Sequence, residues 1–270
     1  MSVLTKWIKC MGFVIFIIAL FASSLGAVGG FGGGVIIKPA IDATGILPVS
    51  SVSFLSGCTA LAMAISSLIQ QRHNEIELRY RTTTPLAIGA VVGGLAGKRL
   101  FEYILATSQS EYFLGGVQAI SLALITLGVF LYICNKHRIK SHSVENALSC
   151  ICIGGLLGSI SSFLGIGGGT SNMAILFFCF SMDAKTAAKN SLYIIIFSQA
   201  ASIATAIFTN SVPPFQWLSL TLMIFGGISG AILGSHIAKK ISNKSVELIL
   251  KALLITMILV NSVNAVKFFF

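Results

Sequence analysis

The chain has 270 residues, of which 55% are hydrophobic and only 10% charged, with a formal net charge of +10. A soluble domain carries about a quarter charged residues, so this composition leaves almost nothing to cover a water-facing surface and excludes a soluble fold. The positive charge does not point to nucleic acid: the basic residues sit in short clusters between apolar runs (Arg72, Arg79, Arg81; Lys136, Arg138, Lys140; Lys239, Lys240, Lys244), the placement of topology-setting loops and not of a basic soluble face.

Taken in chain order, uncharged runs cover residues 10–37, 51–70, 112–135 and 147–182, and residues 190–238 are interrupted only by His236. Each is as long as the roughly 20 residues that cross a hydrocarbon core, and none alternates as the strands of an outer-membrane barrel do. Lys6 and Lys9 ahead of the first run imitate a signal peptide, but residues 13–29 have a counterpart inside the chain, so that run is expected to stay. The six cysteines (Cys10, Cys58, Cys134, Cys150, Cys152, Cys179) show no CxxC spacing and read as small buried hydrophobes, with no disulfide framework, metal site or cofactor to argue from.

A repeat organises the chain. Gly30-Phe31-Gly32-Gly33-Gly34 recurs as Gly165-Ile166-Gly167-Gly168-Gly169, 135 residues later, and Ser56 falls on Ser191 at the same displacement. A ladder of Gly89, Gly93 and Gly97 recurs as Gly226, Gly230 and Gly234. Glycines four apart line one helix face and admit a second helix closely. The expected architecture is an all-α polytopic membrane protein of about eight to ten helical segments in two repeats, residues 1–140 and 141–270, forming one transport domain.

The glycine-motif segments are informative by length. Residues 147–182 as one straight helix would span roughly 54 Å, against a core of about 30 Å. A full helix followed by a partial or re-entrant helix, hinged at the glycines, is the natural solution, and irregular backbone at that depth must be buried in protein or face a cavity. The turns expected further on are residues 71–83 in the first half and Pro213-Pro214 in the second. Counting each motif segment as two crossings puts 12 of 17 basic residues on one side, against 9 of 17 for a four-crossing scheme (Lys38 omitted). The positive-inside rule then favours inverted repeats with an odd number of crossings each, although Lys6 and Lys9 count the other way.

Three glycines ahead of a helix leave backbone N–H groups unscreened and aim a helix N-terminus at the same spot, both favouring an anion. The expected solute contacts are therefore Gly32, Gly33, Gly34, Gly167, Gly168 and Gly169, with Thr170, Ser171, Asn172, Asn190 and Ser191 as neutral partners. Lys38 is expected either to face the site as a counter-charge or to snorkel to the interface. Asp42 and Asp183 follow the motifs and read as solvated loop residues unless they serve a cation relay; His236 reads as a helix-end residue at the interface.

A small-residue helix, Gly-x-Gly-Gly-Gly, and a proline five residues on (Gly32, Gly33, Gly34, Pro39), repeated in the second half and followed by Asn190-Ser191, resembles the TauE/SafE family of membrane permeases over nearly the whole chain. The resemblance implies a carrier of anionic sulfur compounds or related small organic acids. The expected partners are the lipid bilayer and a small anionic solute, with a proton or sodium as candidate coupling ion. This chain departs from the pattern at Ala174, where the second proline would stand, at Lys38, and at Asn190, where threonine is common. Two other readings stay open, an anion channel and a membrane scaffold without transport activity. An enzyme is not expected, because no Ser/His/Asp, HExxH or paired-carboxylate set lies in the apolar segments.

Overall fold

The computed structural model describes residues 2–72, 76–108, 110–136, 138–139, 141, 143–166 and 168–269, with side chains from residue 12 onward. These residues form α1 (Ser2–Gly29), α2 (Gly34–Thr44), α3 (Val49–Gln70), α4 (Tyr80–Ser108), α5 (Glu111–Asn135), α6 (Ala147–Leu164), α7 (Gly169–Phe180), α8 (Ala184–Phe208), α9 (Trp217–Lys240) and α10 (Asn243–Phe269). Seven of them are long and apolar enough to cross a membrane. Of the other three, α2 and α7 are half-length, and α4 is long but carries Arg81, Lys98, Arg99 and Glu102.

Both overlong apolar segments break at their glycines. Gly30 (φ +70°) and Gly165 (φ +66°) occupy the left-handed region where a Cβ is costly, and Gly165 closes α6 by donating its N–H to the Ser161 and Ser162 carbonyls. Other boundaries follow side-chain caps: Ser110 accepts from the Phe113 N–H, Asn146 from Leu148, and Asp183 from Lys185 and Thr186. The first basic turn is shorter than expected, because α4 already begins at Tyr80 and holds Pro85 in its second turn, where the ring removes the helical donor to the Arg81 carbonyl.

Contacts between helix ends fix the direction of every element. At one end of the bundle the Ser50 hydroxyl of α3 donates to Glu111 of α5 (2.6 Å), Ser51 donates to the Pro214 carbonyl ahead of α9 (2.7 Å), and Lys267 of α10 donates to the Ala43 carbonyl of α2 (2.8 Å). This is the terminal end, where α1 starts beside α9, with Gly12 against Leu222. At the other end Arg79 donates to the Phe180 carbonyl of α7 (3.2 Å), the Lys185 N–H of α8 donates to Asn243 of α10 (3.0 Å), and Lys136, just past the end of α5, pairs with Glu247 of α10. This is the basic end. The α1–α2 hairpin thus starts and finishes at the terminal end and the α6–α7 hairpin at the basic end, while α3–α5 and α8–α10 cross three times each in opposite senses.

The glycine ladders bind the halves across one another. A Cβ on Gly89, Gly93 or Gly97 of α4 would collide with the carbonyl oxygens of Ile151, Gly155 and Ser159 on α6. One on Gly226, Gly230 or Gly234 of α9 would collide with those of Phe16, Leu20 and Ser24 on α1. Close backbone approach of this kind is how helices associate where apolar burial gives no drive. Shifted by 135 residues, the α6 partners become the α1 partners one for one.

Candidate transport site

The two glycine breaks meet in the interior. Every residue from Gly26 to Val35 is buried, including Gly32, Gly33 and Gly34. A Cβ on Gly34 would lie 2.6 Å from the Ile166 carbonyl oxygen, and one on Gly169 2.7 Å from that of Phe31, so each half-helix starts against the other motif's backbone. The same reciprocity holds one residue set further out: Gly30 packs on Ala188 of α8 and Gly165 on Ser53 of α3. Neither half-helix has a side-chain cap on its N-terminal N–H groups, which leaves both positive ends pointing into the shared centre.

Polar atoms without partners cluster around this centre. Gly168, Gly169 and Thr170 are buried; the Ser171 hydroxyl, Asn172 Nδ2 and the Ser191 hydroxyl are buried and make no hydrogen bond. Ser23 Oγ is in the same condition and would lie 2.7 Å from a Cβ on Gly33. Ser191 contrasts with its counterpart Ser56, whose hydroxyl donates to the Gly165 carbonyl (2.8 Å). Buried donors are normally satisfied, so these side chains are the polar groups of the interior left without protein partners.

Three sequence expectations change. Asn190 has no capacity left for a solute: its Oδ1 accepts from the Arg79 N–H and the Thr83 hydroxyl, and its Nδ2 donates to the Glu77 and Thr186 carbonyls. It pins the α3–α4 connection against α8. Lys38 neither snorkels nor stands free as a counter-charge, because it is 1% exposed and bonded to Asp42 at 2.6 Å, one turn along α2. Asp42 is accordingly a buried helical residue and not a solvated loop one. A buried charge is tolerable only with such a partner, and helical spacing supplies it. Gly167 lies outside the described residues. Asp183 caps α8 at the basic end, exposed as expected; burial raises its pKa, but hydrogen bonds from the Thr186 hydroxyl and from the Thr186 and Lys185 N–H groups outweigh this and hold it below the usual carboxylate value. His236 is exposed, its Nδ1 2.8 Å from the Ile232 carbonyl oxygen.

Sequence reading missed a cavity of about 470 Å³ beside the breaks, bounded by α3, α4, α6, α8 and the segment before α9. Its polar lining includes Ser53, Lys98, Glu102, Ser161, Ser162 and Gln199, and it reaches Gly165 of the second motif and Glu111, Pro213 and Pro214 at the terminal end. A signal existed in the spacing: Lys98 and Glu102 follow Gly94 at successive four-residue steps, on a helix face beside the glycine ladder and not on it. Shifted by 135 residues, the lining positions Ser202, Ala206 and Phe54 become Ser67, Gln71 and Lys189, and the ladder displacement from Gly97 to Gly234 takes Lys98 to Ser235; these four close upon one another. The Ser67 and Ser235 hydroxyls bond at 2.8 Å, and Lys189, 5% exposed, donates to the Gln71 and Ile76 carbonyls.

The profile of the family described as Sulfite exporter TauE/SafE matches residues 15–261, a span that contains both breaks, both ladders and the cavity. A curated relative in Bacillus subtilis (strain 168), described as "Probable membrane transporter protein YunE", is 23% identical over 273 residues, covering 91% of this chain and 95% of its own. The chain is therefore an integral, multi-pass membrane transporter protein and belongs to the TauE/SafE family.

Proposed function

We propose that this protein is a permease for a small anion, a sulfur oxyanion or a sulfonate or carboxylate of similar size, and that residues 1–140 and 141–270 act as inverted repeats around one site. The observation that carries the reading is the crossing of the two breaks: two half-helix N-termini, each uncapped and each seated on the other motif's backbone, amid buried hydroxyl and amide groups with no partner. Uncapped helix starts supply partial positive charge at a depth where water cannot. The opposed directions of the two halves, and the shift-for-shift match of the ladder contacts, support the repeat division.

The cavity supports transport by alternating exposure. It opens from the breaks toward the terminal end, while its equivalent toward the basic end is shut by Lys189 and by the Ser67–Ser235 contact. Exchange of the two arrangements between the halves carries the site from one side of the membrane to the other. Arg72, Arg79, Arg81, Lys136, Arg138, Lys239 and Lys240 at the basic end support a cytoplasmic side for that end under the positive-inside rule.

The test is uptake of radiolabelled sulfite and of a short sulfonate into proteoliposomes at matched, monodisperse protein content. Gly168 sits at φ +98° and a Cβ on Gly33 meets Ser23, so Gly168→Val and Gly33→Val lower flux more than Ser171→Ala, which deletes one hydrogen-bonding group worth about 1 kcal/mol. Flux that requires an ion gradient identifies a carrier. Flux that follows only the anion's own gradient, without saturation or counter-flow, identifies a channel. Wild-type vesicles that take up neither anion would refute the reading.

A further inference from the structure

We propose that the Lys98 ammonium is the cation that holds the solute's acidic head group in the cavity, and that protonation of Glu102 is what releases it to do so. The inference rests on the permease reading above and assigns it a second contact region and a coupling ion. Lys98 and Glu102 face the cavity one helical turn apart, with Nζ 3.7 Å from Oε1. That is within ion-pair range but too long for a hydrogen bond. Glu102 Oε1 is buried and has no hydrogen-bond partner, although the side chain as a whole is 37% exposed at the cavity.

The surrounding donors point to an anion. Ser53, Ser161 and Ser162 line the same cavity, and each has a buried hydroxyl that bonds nothing; Gln199 adds an amide from α8. Among the described residues no other cation lines it: α3, α6 and α8 contribute neutral side chains, and the remaining titratable residue is Glu111, which accepts the Ser50 hydroxyl at the mouth. An anion entering beside an ionised Glu102 would bring two negative charges to one ammonium in a partly dehydrated site. An anion entering with a proton for Glu102 replaces one partner of Lys98 by another and leaves the net charge of the site as it was. Solute and proton then travel together, one for one.

The pair is not something the helix packing requires. The ladder displacement, from Gly97 to Gly234, takes Lys98 to Ser235 and Glu102 to Lys239, so the second half packs the same helix contact without it. One half alone carries the charge pair, as expected of a group retained for a solute and not for the scaffold.

Methanesulfonate is a suitable probe for the full-length purified protein, because its sulfonate keeps the same single charge across the range from about pH 5 to about pH 9. Binding is measured calorimetrically across that range. Wild-type affinity rises on the order of tenfold as pH falls, since an unprotonated Glu102 competes for Lys98. Glu102→Gln binds at the low-pH strength throughout, with the slope abolished; Lys98→Gln loses roughly tenfold or more at every pH, and Lys98→Arg recovers most of it. Melting of the unliganded variants checks folding, and if Lys98→Gln does not fold, the slope in Glu102→Gln and the recovery in Lys98→Arg decide. A Glu102→Gln variant that keeps the wild-type slope, or a folded Lys98→Gln that binds within about twofold of wild type, overturns the proposal. Tight but pH-independent wild-type binding removes this proposal and leaves the permease reading standing, whereas a wild type that neither binds methanesulfonate nor transports sulfite removes both.

Discussion

Gly93→Ala adds a single methyl group where α4 crosses α6, and the consequences follow from the backbone there. The new Cβ would coincide with the Gly155 carbonyl group, so the helices must separate by more than an ångström or α4 must rotate. Forced repacking of this kind costs about 2 kcal/mol. Separation also stretches the hydrogen bond from the Ser159 hydroxyl to the Gly93 carbonyl (3.0 Å), worth about 1 kcal/mol at most between membrane helices. The combined loss of about 3 kcal/mol corresponds to a melting temperature lower by roughly 6–12 °C. Gly128→Ala is the internal control: it lies within α5, where a Cβ meets nothing within 4 Å, and gains up to about 1 kcal/mol of helix propensity. Thermal unfolding of detergent-purified variants, followed by loss of the monodisperse peak in size exclusion, measures both. A Gly93→Ala protein that melts with wild type, or a Gly128→Ala protein destabilised as much as Gly93→Ala, would refute the close-approach argument for the ladders.

Asp42→Ala strands a cation that is 1% exposed and is expected to cost about 3–5 kcal/mol, while the apolar double replacement Lys38→Met with Asp42→Leu restores most of it; denaturation of the three proteins in one detergent checks the ordering. Cysteines at Ser67 and Ser235, whose hydroxyls touch, are expected to crosslink on mild oxidation and stop transport until a reductant is added; undiminished flux in the fully crosslinked protein would count against the gate at the basic end. Asp183→Ala removes the α8 cap and is expected to lower stability by about 1 kcal/mol. Since the folded Asp183 carboxyl titrates below its ordinary value, its contribution is present above about pH 4 and is lost as pH falls through the folded pKa. Melting curves for wild type and Asp183→Ala should therefore converge in acid and separate toward neutral pH.

The amino-acid sequence by itself determined which segments leave water, where the two overlong ones must break, and which helix faces admit close approach. Those properties depend on local quantities: the number of residues without charge, the run of glycines at 30–34 and 165–169, and the four-residue spacing of Gly89, Gly93 and Gly97. Lys38 shows where such reading stops. Its charge was visible, but whether it met a solute, the interface or a carboxylate depended on α2 being helical through Asp42 and on both residues being enclosed. Asn190 likewise looked available until the fold brought residues 77–79 and Thr83 against it. Only the tertiary structure decided that each ladder packs on the opposite half, that one set of equivalent positions closes through Ser67, Ser235 and Lys189, and that the other leaves a cavity around Lys98 and Glu102. Periodicity along a chain specifies which face of a helix is small or charged, but the partner that face meets is selected by packing between segments far apart in the chain, and no local pattern encodes that choice.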